Sequence, residues 1–313
     1  MNQLDQQEEI FHNAIMNMNS MLPKSFDTAR PFEFSEYDIR GFIVQTSDSL
    51  KGLLKNHNYP VCLKELLAQM QVAVCLMTSI MKFEGEIMLQ VRGNGNFKYA
   101  FINSNQNHET RGLASFEPPI DDDTPFNELL SPNSILSLHI IPKKGAQYQG
   151  IIDISGKNLA SCIESYYAQS MQIPTKIWIY SDAQNTQRAA GILIQALPTK
   201  DKAKQKEDLE HISILTDTTT MAEILTLDNE QILYRLYNQE TTKIYPEKPV
   251  YFKCNCSKDY FITRLAHLNP DELSKMLQQD GKITTECHCC GSKYEFNHDE
   301  VIEIIRKAKE SRH

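Results

Sequence analysis

Four cysteines near the end of the chain form two close pairs. Cys254 and Cys256 lie in KCNCSK, and Cys287 and Cys290 lie in ECHCCGS. Four thiolates in two pairs suit a tetrahedral Zn²⁺ ion, because structural zinc sites take four sulfur or nitrogen ligands. The sequence therefore predicts a zinc site with these four ligands, in preference to free thiols or an iron–sulfur cluster.

The first pair has a spacing that also favours redox chemistry. A disulfide across C-x-C closes a very small ring, so it should be strained and easily reduced again. Zinc holds its sulfur ligands as thiolates, which are the form that oxidants attack. The arrangement thus predicts a metal that stores reactive thiolates, with sulfurs spaced to pair once the metal leaves.

Other potential ligands are present in the chain. Cys289 lies inside the second pair, could compete as a ligand and makes the oxidised pairing uncertain. Histidines also occur in this part of the chain, but four cysteines already fill a tetrahedron. The remaining cysteines lie in apolar helical patterns, where free thiols pack as small hydrophobes, and we expect them to be buried and inert. These histidines and cysteines are His267, His288 and His298, and Cys62, Cys75 and Cys162.

Zinc should matter greatly to the segment that carries it. Structural zinc contributes about 10–16 kcal/mol of folding free energy in small peptides. A segment as short as 250–313 should have little core of its own and should unfold when the metal leaves. If the preceding segment packs against it, that segment should lose structure as well. The apolar surface exposed in this way would bind other apolar surfaces.

Composition excludes several classes of protein. The net charge of −8 argues against a general binder of nucleic acid or of anionic membranes, which would need positive charge. Uninterrupted apolar runs are far shorter than the roughly 18 residues of a membrane span. The polar, acidic N-terminus lacks the pattern of a secretory signal. We therefore expect a cytoplasmic protein, in a compartment where thiols stay reduced.

The pattern along the chain predicts an α+β fold in four segments. Residues 1–30 are a polar leader to which we assign no role. Residues 31–198 mix helical and strand patterns and form a core domain of β-sheets with packed helices. Residues 199–249 are a helical linker, in which the charged run TKDKAKQKEDLE is a solvated connector ahead of two capped short helices. Residues 250–313 form a small zinc-binding domain.

Within the core, periodicity predicts individual elements. Residues 46–58 and 61–83 have the spacing of amphipathic helices, and 158–170 form a further helix. Residues 85–104 alternate as strands around Gly93-Asn94-Gly95, which signals a hairpin turn rather than a phosphate-binding loop. In the zinc-binding domain, Asn269-Pro270 should open a small helix.

The chain resembles the heat shock protein 33 family, the redox-regulated 33 kDa chaperonins of the bacterial cytosol. The likeness extends over about 31–300 and rests on several stretches in order as well as on the cysteines. These stretches are HNYP (57–60), KFEGEIMLQVRGNG (82–95), YQGIIDISG (148–156), YYAQSMQIPT (166–175), AAGILIQALP (189–198), LYNQE (236–240), FKCNC (252–256) and DGKITTECHCCGSKYEF (280–296).

The resemblance implies a function, a ligand set and partners. The family pattern implies that the four cysteines bind zinc in a reduced, poorly active form. Oxidative stress would then form the disulfides Cys254–Cys256 and Cys287–Cys290, release zinc and unfold the tail and linker. The active form would be a dimer that binds unfolding client proteins without ATP and passes them to ATP-driven chaperones. It would not be an enzyme.

Two other functions fit a cysteine-rich tail. A zinc-ribbon nucleic-acid binder is disfavoured because 250–313 carries no surplus of basic residues. A thiol–disulfide oxidoreductase would need a low-pKa thiol in a C-x-x-C on a thioredoxin-like βαβ scaffold. The sequence shows no C-x-x-C in that context.

Overall fold

The computed structural model describes residues 26–131 and 133–310. Most of the predicted leader, 1–30, lies outside the described residues, although the first strand already begins at Thr28. The described residues up to Phe252 form one compact unit, and those from Lys253 onwards form a second. The predicted linker, 199–249, lies within the first unit.

The first unit contains two β-sheets. Their strands are β1 (Thr28–Phe34), β2 (Ile39–Thr46), β3 (Gly85–Arg92), β4 (Phe97–Asn105), β5 (Glu109–Phe116), β6 (Ile135–Pro142), β7 (Tyr148–Ile152), β8 (Thr175–Asp182), β9 (Arg188–Ala196), β10 (Thr242–Ile244), β11 (Lys248–Pro249) and β12 (Tyr251–Phe252). In the first sheet the strand order is β10-β1-β2-β9-β8, with β11 also pairing with β1, and in the second it is β12-β5-β4-β3-β6-β7. Neighbouring strands are antiparallel except β12, which runs parallel to β5.

A long central helix, Val61–Ile80, forms the middle of the largest apolar core. This core includes Val44 of β2 and Leu193 of β9 from the first sheet, and Leu89 of β3 and Ile102 of β4 from the second. The helix therefore contacts both sheets. Shorter helices at Asp48–Leu54, Phe126–Leu129 and Leu159–Tyr166, the last continued by a π-helix over Tyr167–Met171, complete the core.

The central helix is the one described helix that is long and apolar enough to cross a membrane. From the short uninterrupted apolar runs we predicted no such segment. That prediction was wrong, because the mean hydropathy of an 18-residue window in this helix is high enough for a membrane span. However, 78% of the relevant window is buried inside the protein. The apolar side chains already have protein partners, so the length and composition of this helix are weak evidence for a membrane span.

The linker forms three helices and then returns to the first sheet as a strand. The helices are Lys202–Asp217, Met221–Ile224 and Asn229–Tyr237, and β10 then pairs with β1. Their apolar side chains lie on the face of the first sheet that points away from the central helix. This second core contains Phe32, Phe34, Ile39, Ile43, Ala190, Ile192 and Ile194 from the sheet and Leu209, Ile212, Ile224, Leu225, Ile232, Leu233, Leu236 and Tyr237 from the linker.

The run 200–210 is solvated as predicted, since most of its residues are exposed, and from Lys202 onwards it is helical. Asp201 caps the helix by accepting a hydrogen bond from the backbone of Lys204 at 3.0 Å. Lysine, glutamate and alanine are good helix formers, and burial of Leu209 against the sheet supplies the packing. The two capping boxes predicted further on, at Thr220 and Asp228, are confirmed.

The α+β prediction is confirmed, and so are several of its elements. The hairpin around Gly93-Asn94-Gly95 joins β3 to β4, and Gly95 has a φ of 96°, which is the left-handed region that a glycine tolerates best. The predicted helices at 46–58, 61–83 and 158–170 are present with shorter bounds.

The second unit is small but has its own core. Helices Lys258–Leu265, Pro270–Asp280 and His298–Glu310 accompany a two-stranded hairpin of β13 (Ile283–Glu286) and β14 (Lys293–Phe296). Its buried apolar side chains are Leu265, Leu273, Leu277, Ile283, Phe296, Val301, Ile304 and Ile305. This is more core than the sequence led us to expect, although it is far smaller than that of the first unit.

Candidate metal centre

The second cysteine pair lies at the tip of the β13–β14 hairpin. Cys287 directly follows β13, and its N–H donates to the Ser292 carbonyl at 2.9 Å. The Gly291 N–H donates back to the Cys287 carbonyl at 2.7 Å. Gly291, where the loop turns back, has a φ of 69°. Glycine adopts this left-handed conformation at little energetic cost. These bonds close a tight turn that fixes the side chains of Cys287 and Cys290.

The first cysteine pair lies just before a helix. Cys254 and Cys256 occupy an irregular stretch, and Ser257 then caps the helix Lys258–Leu265 by accepting a hydrogen bond from the Tyr260 N–H at 3.1 Å. The cap fixes where the helix begins, and Cys256 directly precedes the capping residue.

The four sulfur atoms lie together. All four Sγ atoms are within 4.8 Å of one another. The Sγ of Cys254 is 3.6 Å from that of Cys287, and the Sγ of Cys256 is 3.3 Å from that of Cys290. A tetrahedral zinc ion with Zn–S distances of about 2.3 Å has sulfur–sulfur edges of about 3.8 Å. The separations in this chain, from 3.3 Å up to at most 4.8 Å, lie on both sides of that edge length, so small side-chain movements would let the four sulfurs hold such an ion.

Burial and neighbouring thiols separate the pKa values of the cluster. Burial, together with nearby thiols, raises the pKa of Cys254, and burial likewise raises that of Cys256. At Cys290 burial acts in the same direction, but hydrogen bonds from Ser292 and the adjacent thiols outweigh it and lower the pKa to about 7. A bound cation would favour the thiolate at every position, because it places positive charge beside each sulfur.

Two neighbours of the cluster were not identified from the sequence. The hydroxyl of Tyr294 donates to the Sγ of Cys256 at 3.2 Å, and the Ser292 hydroxyl lies 3.2 Å from the Sγ of Cys290. Hydrogen bonds of this kind orient metal ligands and tune them. Ser292 lies two positions after Cys290, so its contact with that sulfur could have been predicted from the sequence. The contact of Tyr294 could not, because it joins residues 38 positions apart.

The other predicted candidates lie outside the cluster. Among the described residues, the set of mutually close ligand atoms includes neither Cys289 nor His267, His288 or His298. Cys289 is nevertheless buried, at 9% exposure. It lies near enough to raise the pKa of Cys254, so it belongs to the surroundings of the site.

The predicted burial of three further cysteines and the predicted helix at Asn269-Pro270 are confirmed here. Cys62, Cys75 and Cys162 are buried and unpaired in the first unit. In the second unit, Asn269 caps the helix that Pro270 opens.

Comparison with known proteins gives one consistent result. A family model described as Hsp33 protein matches residues 27–297. The 33 kDa chaperonin of Serratia proteamaculans is 37% identical over 279 residues, which are 89% of this chain and 94% of that protein. The 33 kDa chaperonin of Escherichia coli (strain K12 / DH10B) is 35% identical over 283 residues, or 90% and 96% of the two chains.

A solved structure agrees in fold. The crystal structure of the 33 kDa chaperonin from Thermotoga maritima superposes with a TM-score of 0.77 and covers 91% of this chain and 99% of its own. Its sequence identity to this chain is 17%, so this likeness concerns the fold alone.

Proposed function

The chain belongs to the Hsp33 family, and from this premise we propose that it is a redox-regulated, ATP-independent holdase chaperone of the cytoplasm. Its task would be to keep unfolding proteins from aggregating under oxidative stress, without catalysing a reaction. The observation that carries the proposal is the cluster of four thiols within 4.8 Å of one another.

The switch in this proposal consists of Cys254, Cys256, Cys287 and Cys290. Bound zinc would hold their sulfurs as thiolates and tie the stretch before the helix Lys258–Leu265 to the hairpin tip. Each pair of thiolates gives two electrons to one peroxide molecule, which takes up two protons and leaves as two waters while a sulfur–sulfur bond forms. A disulfide no longer offers the thiolates that a metal needs.

The proposed pairing is Cys254 with Cys256 and Cys287 with Cys290. Contacts of 3.6 Å and 3.3 Å between the pairs mean that distance alone does not select partners. Chain connectivity favours pairing within each pair, since those sulfurs stay close after the site opens, whereas 33 and 34 residues separate the cross-pair partners.

We propose that residues 199–249 act as the linker and 250–313 as the redox-switch domain. Lys253 alone separates Cys254 from β12, which pairs with β5 over two residues, so loosening at the cysteines acts close to a weakly held strand. The linker covers the apolar face of the first sheet formed by Phe32, Ile43 and Ile192. Its release would expose that face to unfolding clients.

The active form would be a homodimer, and its clients would pass to ATP-dependent chaperones after reduction. We propose no nucleic-acid or membrane partner, given the net charge of −8.

The test combines zinc release with light scattering. Purified reduced chain is treated with hydrogen peroxide at elevated temperature, and zinc release is followed with a colorimetric chelator. We expect about one zinc per chain to be released and aggregation of a thermally unfolding client to be suppressed in parallel. Dithiothreitol should reverse both. Zinc release without any suppression of aggregation would refute the switch.

The pairing has a separate test. Peptide mapping of the oxidised chain should find disulfides within each close pair. Cys289→Ser should form the same two disulfides and respond to oxidant as wild type does. Cys290→Ser removes one of the four proposed ligands, so it should already lack zinc before any oxidant is added. A Cys289→Ser chain in which oxidation forms no disulfide at Cys287 would show that Cys289 is the redox partner.

A further inference from the structure

A cavity of about 590 Å³ lies at the end of the first sheet, where β9 ends and the chain continues to the first linker helix. Arg40 of β2 and Gln195 of β9 line it from the sheet, and Lys202 and Lys206 of the helix Lys202–Asp217 line it from the linker. Its volume is within the range of sites that bind small molecules. Neither the cysteine cluster nor the proposed switch uses this cavity.

The ionisable groups that line the cavity are all cationic. They are Arg40, Lys82, Lys202 and Lys206, and the described lining residues include no Asp or Glu. The whole chain carries a net charge of −8, so a cavity lined by four cations is unlike the average surface. Lys82, Lys202 and Lys206 are exposed and Arg40 is half-buried. Positive charge around a concave site attracts anions.

The guanidinium of Arg40 is held in place by neutral partners. Its Nε and Nη2 donate to the Gln195 side-chain oxygen at 3.3 and 2.6 Å. The Gln195 amide donates to the hydroxyl of Thr175 at 3.1 Å, and that hydroxyl donates to the Ile173 carbonyl at 3.0 Å. Gln195 is 1% exposed, so this relay is rigid and buried. The guanidinium is therefore oriented before any ligand arrives.

The charge of Arg40 is left without a protein counterion among the described residues. Arg30, on the neighbouring strand, pairs with both Glu230 and Glu247. Arg40 has no carboxylate within ion-pair distance in the part of the chain that the structure describes, and burial lowers its pKa. A partly buried guanidinium with free donor capacity favours a bound anion, since the guanidinium fork fits carboxylate and phosphate oxygens.

The rest of the lining is apolar. Pro174, Pro198 and Leu209 contribute to the wall. The N-terminus of the linker helix is not the attractive element, because the Asp201 carboxylate already accepts the Lys204 N–H there. The ligand should therefore combine an anionic group for the four cations with an apolar body for this wall. Four cations match a dianionic phosphate better than a monoanionic carboxylate.

We propose that this cavity binds a small organic phosphate, with the phosphate at Arg40, Lys202 and Lys206 and the apolar part against Pro174 and Leu209. Such a ligand contacts the sheet and the linker helix together. It binds only while the helix is docked, so it holds the linker on the sheet. Resting on the proposed function, this makes the site a brake on activation.

The binding test uses phenyl phosphate as the probe and isothermal titration calorimetry on the reduced, zinc-loaded full chain at low salt. Inorganic phosphate and benzoate should bind more weakly, and benzyl alcohol should not bind. Arg40→Gln should weaken phenyl phosphate binding more than about tenfold, because a charge-assisted hydrogen bond is lost. The double variant Lys202→Gln/Lys206→Gln changes two exposed side chains and should weaken it about tenfold.

The matched control is Lys144→Gln, which removes an exposed lysine outside the cavity and should bind as wild type does. Unchanged binding in the double lysine variant and in Arg40→Gln would overturn the site. Equal affinity for inorganic and phenyl phosphate would overturn the apolar half of the proposal.

Hydrogen exchange tests the coupling to the linker. At a phenyl phosphate concentration of 100 times Kd, opening of residues 199–209 should become about a hundredfold rarer in wild type and stay unchanged in Arg40→Gln. Exchange that is equally fast with and without bound probe would refute the brake. Neither measurement uses an oxidant or a client, so failure here leaves the chaperone proposal standing, and a failed chaperone assay leaves the site standing.

Discussion

The cysteines of the two units have opposite environments. Cys75 and Cys162 of the first unit are fully buried in apolar core, and burial raises the pKa of Cys75 to about 12. In the second unit, Cys254, Cys256 and Cys290 are partly exposed, and their sulfurs lie together with that of Cys287 within 4.8 Å. One residue type thus fills space in one region and forms a potential metal site in the other.

The difference follows from how each unit can be stabilised. The first unit has two sheets packed about a central helix, so its thiols only need to fit. The second unit has a single small core, and in such domains a structural metal commonly supplies what packing does not. The thiols of the large core fill space, whereas those of the small unit are grouped where a metal could add stability.

The largest expected effect comes from removing one thiol of the cluster. Cys287→Ser should lower bound zinc from about one per chain to near zero, because three sulfurs are left for a four-coordinate ion. Residues 253–310 should then lose protection in hydrogen exchange, since the free energy of metal binding contributes to folding. Zinc content by mass spectrometry and exchange by residue check both expectations.

Cys62→Ala is the matched control in the first unit and should leave the zinc content unchanged. A Cys287→Ser chain that keeps both its zinc and its exchange protection would erase the contrast between the two units.

A smaller effect is expected where the linker covers the first sheet. Tyr237 is 2% exposed, its ring centroid lies 5.0 Å from that of Phe34, and its hydroxyl lies 2.7 Å from that of Thr216. Tyr237→Ala should cost about 3–5 kcal/mol of the free energy that holds the linker down. The reduced chain should then suppress client aggregation in light scattering without any oxidant.

Tyr234→Ala is the control on the same helix, because Tyr234 is 74% exposed. The sole tryptophan, Trp178 on β8, donates to Asp217 at the end of the first linker helix at 2.7 Å, so its fluorescence reports linker release. Identical emission and identical activity in the two tyrosine variants would argue against the linker as a cover.

The smallest effect concerns a neighbour of the cluster. Tyr294→Phe removes the hydroxyl that donates to the Sγ of Cys256 at 3.2 Å and keeps the ring. Zinc affinity should fall about tenfold, since groups that orient ligands typically contribute that much. Competition with a chelator measures it. Tyr260→Phe, at a residue 44% exposed in the same unit, should leave the affinity unchanged, and equal loss in both variants would remove the assigned role.

Much of the site could be predicted because its signals are local. C-x-C and C-x-x-C spacings marked the ligands, and the caps at Thr220, Asp228 and Asn269 appeared where their side chains predicted them. Such signals depend on residues within a turn of one another.

The packing of the linker and two helices of the second unit were not predicted from such local signals. The charges of 200–210 indicated correctly that the run is solvated, but they did not indicate that Leu209 and, just beyond the run, Ile212 are buried against a sheet formed by distant strands. The helices Lys258–Leu265 and His298–Glu310 were not predicted, although Ser257 offered a cap for the first.

The sequence by itself determined the family, the α+β class and which sulfurs could form a metal site, because residue type and short spacing carry that information. The tertiary structure decided that the linker covers the first sheet, that Tyr294 supports Cys256 and that Arg40 lines a cavity whose other ionisable groups, among the described residues, are lysines. These features join residues 38 to more than 150 positions apart, and only packing of the folded chain brings such residues within reach of one another.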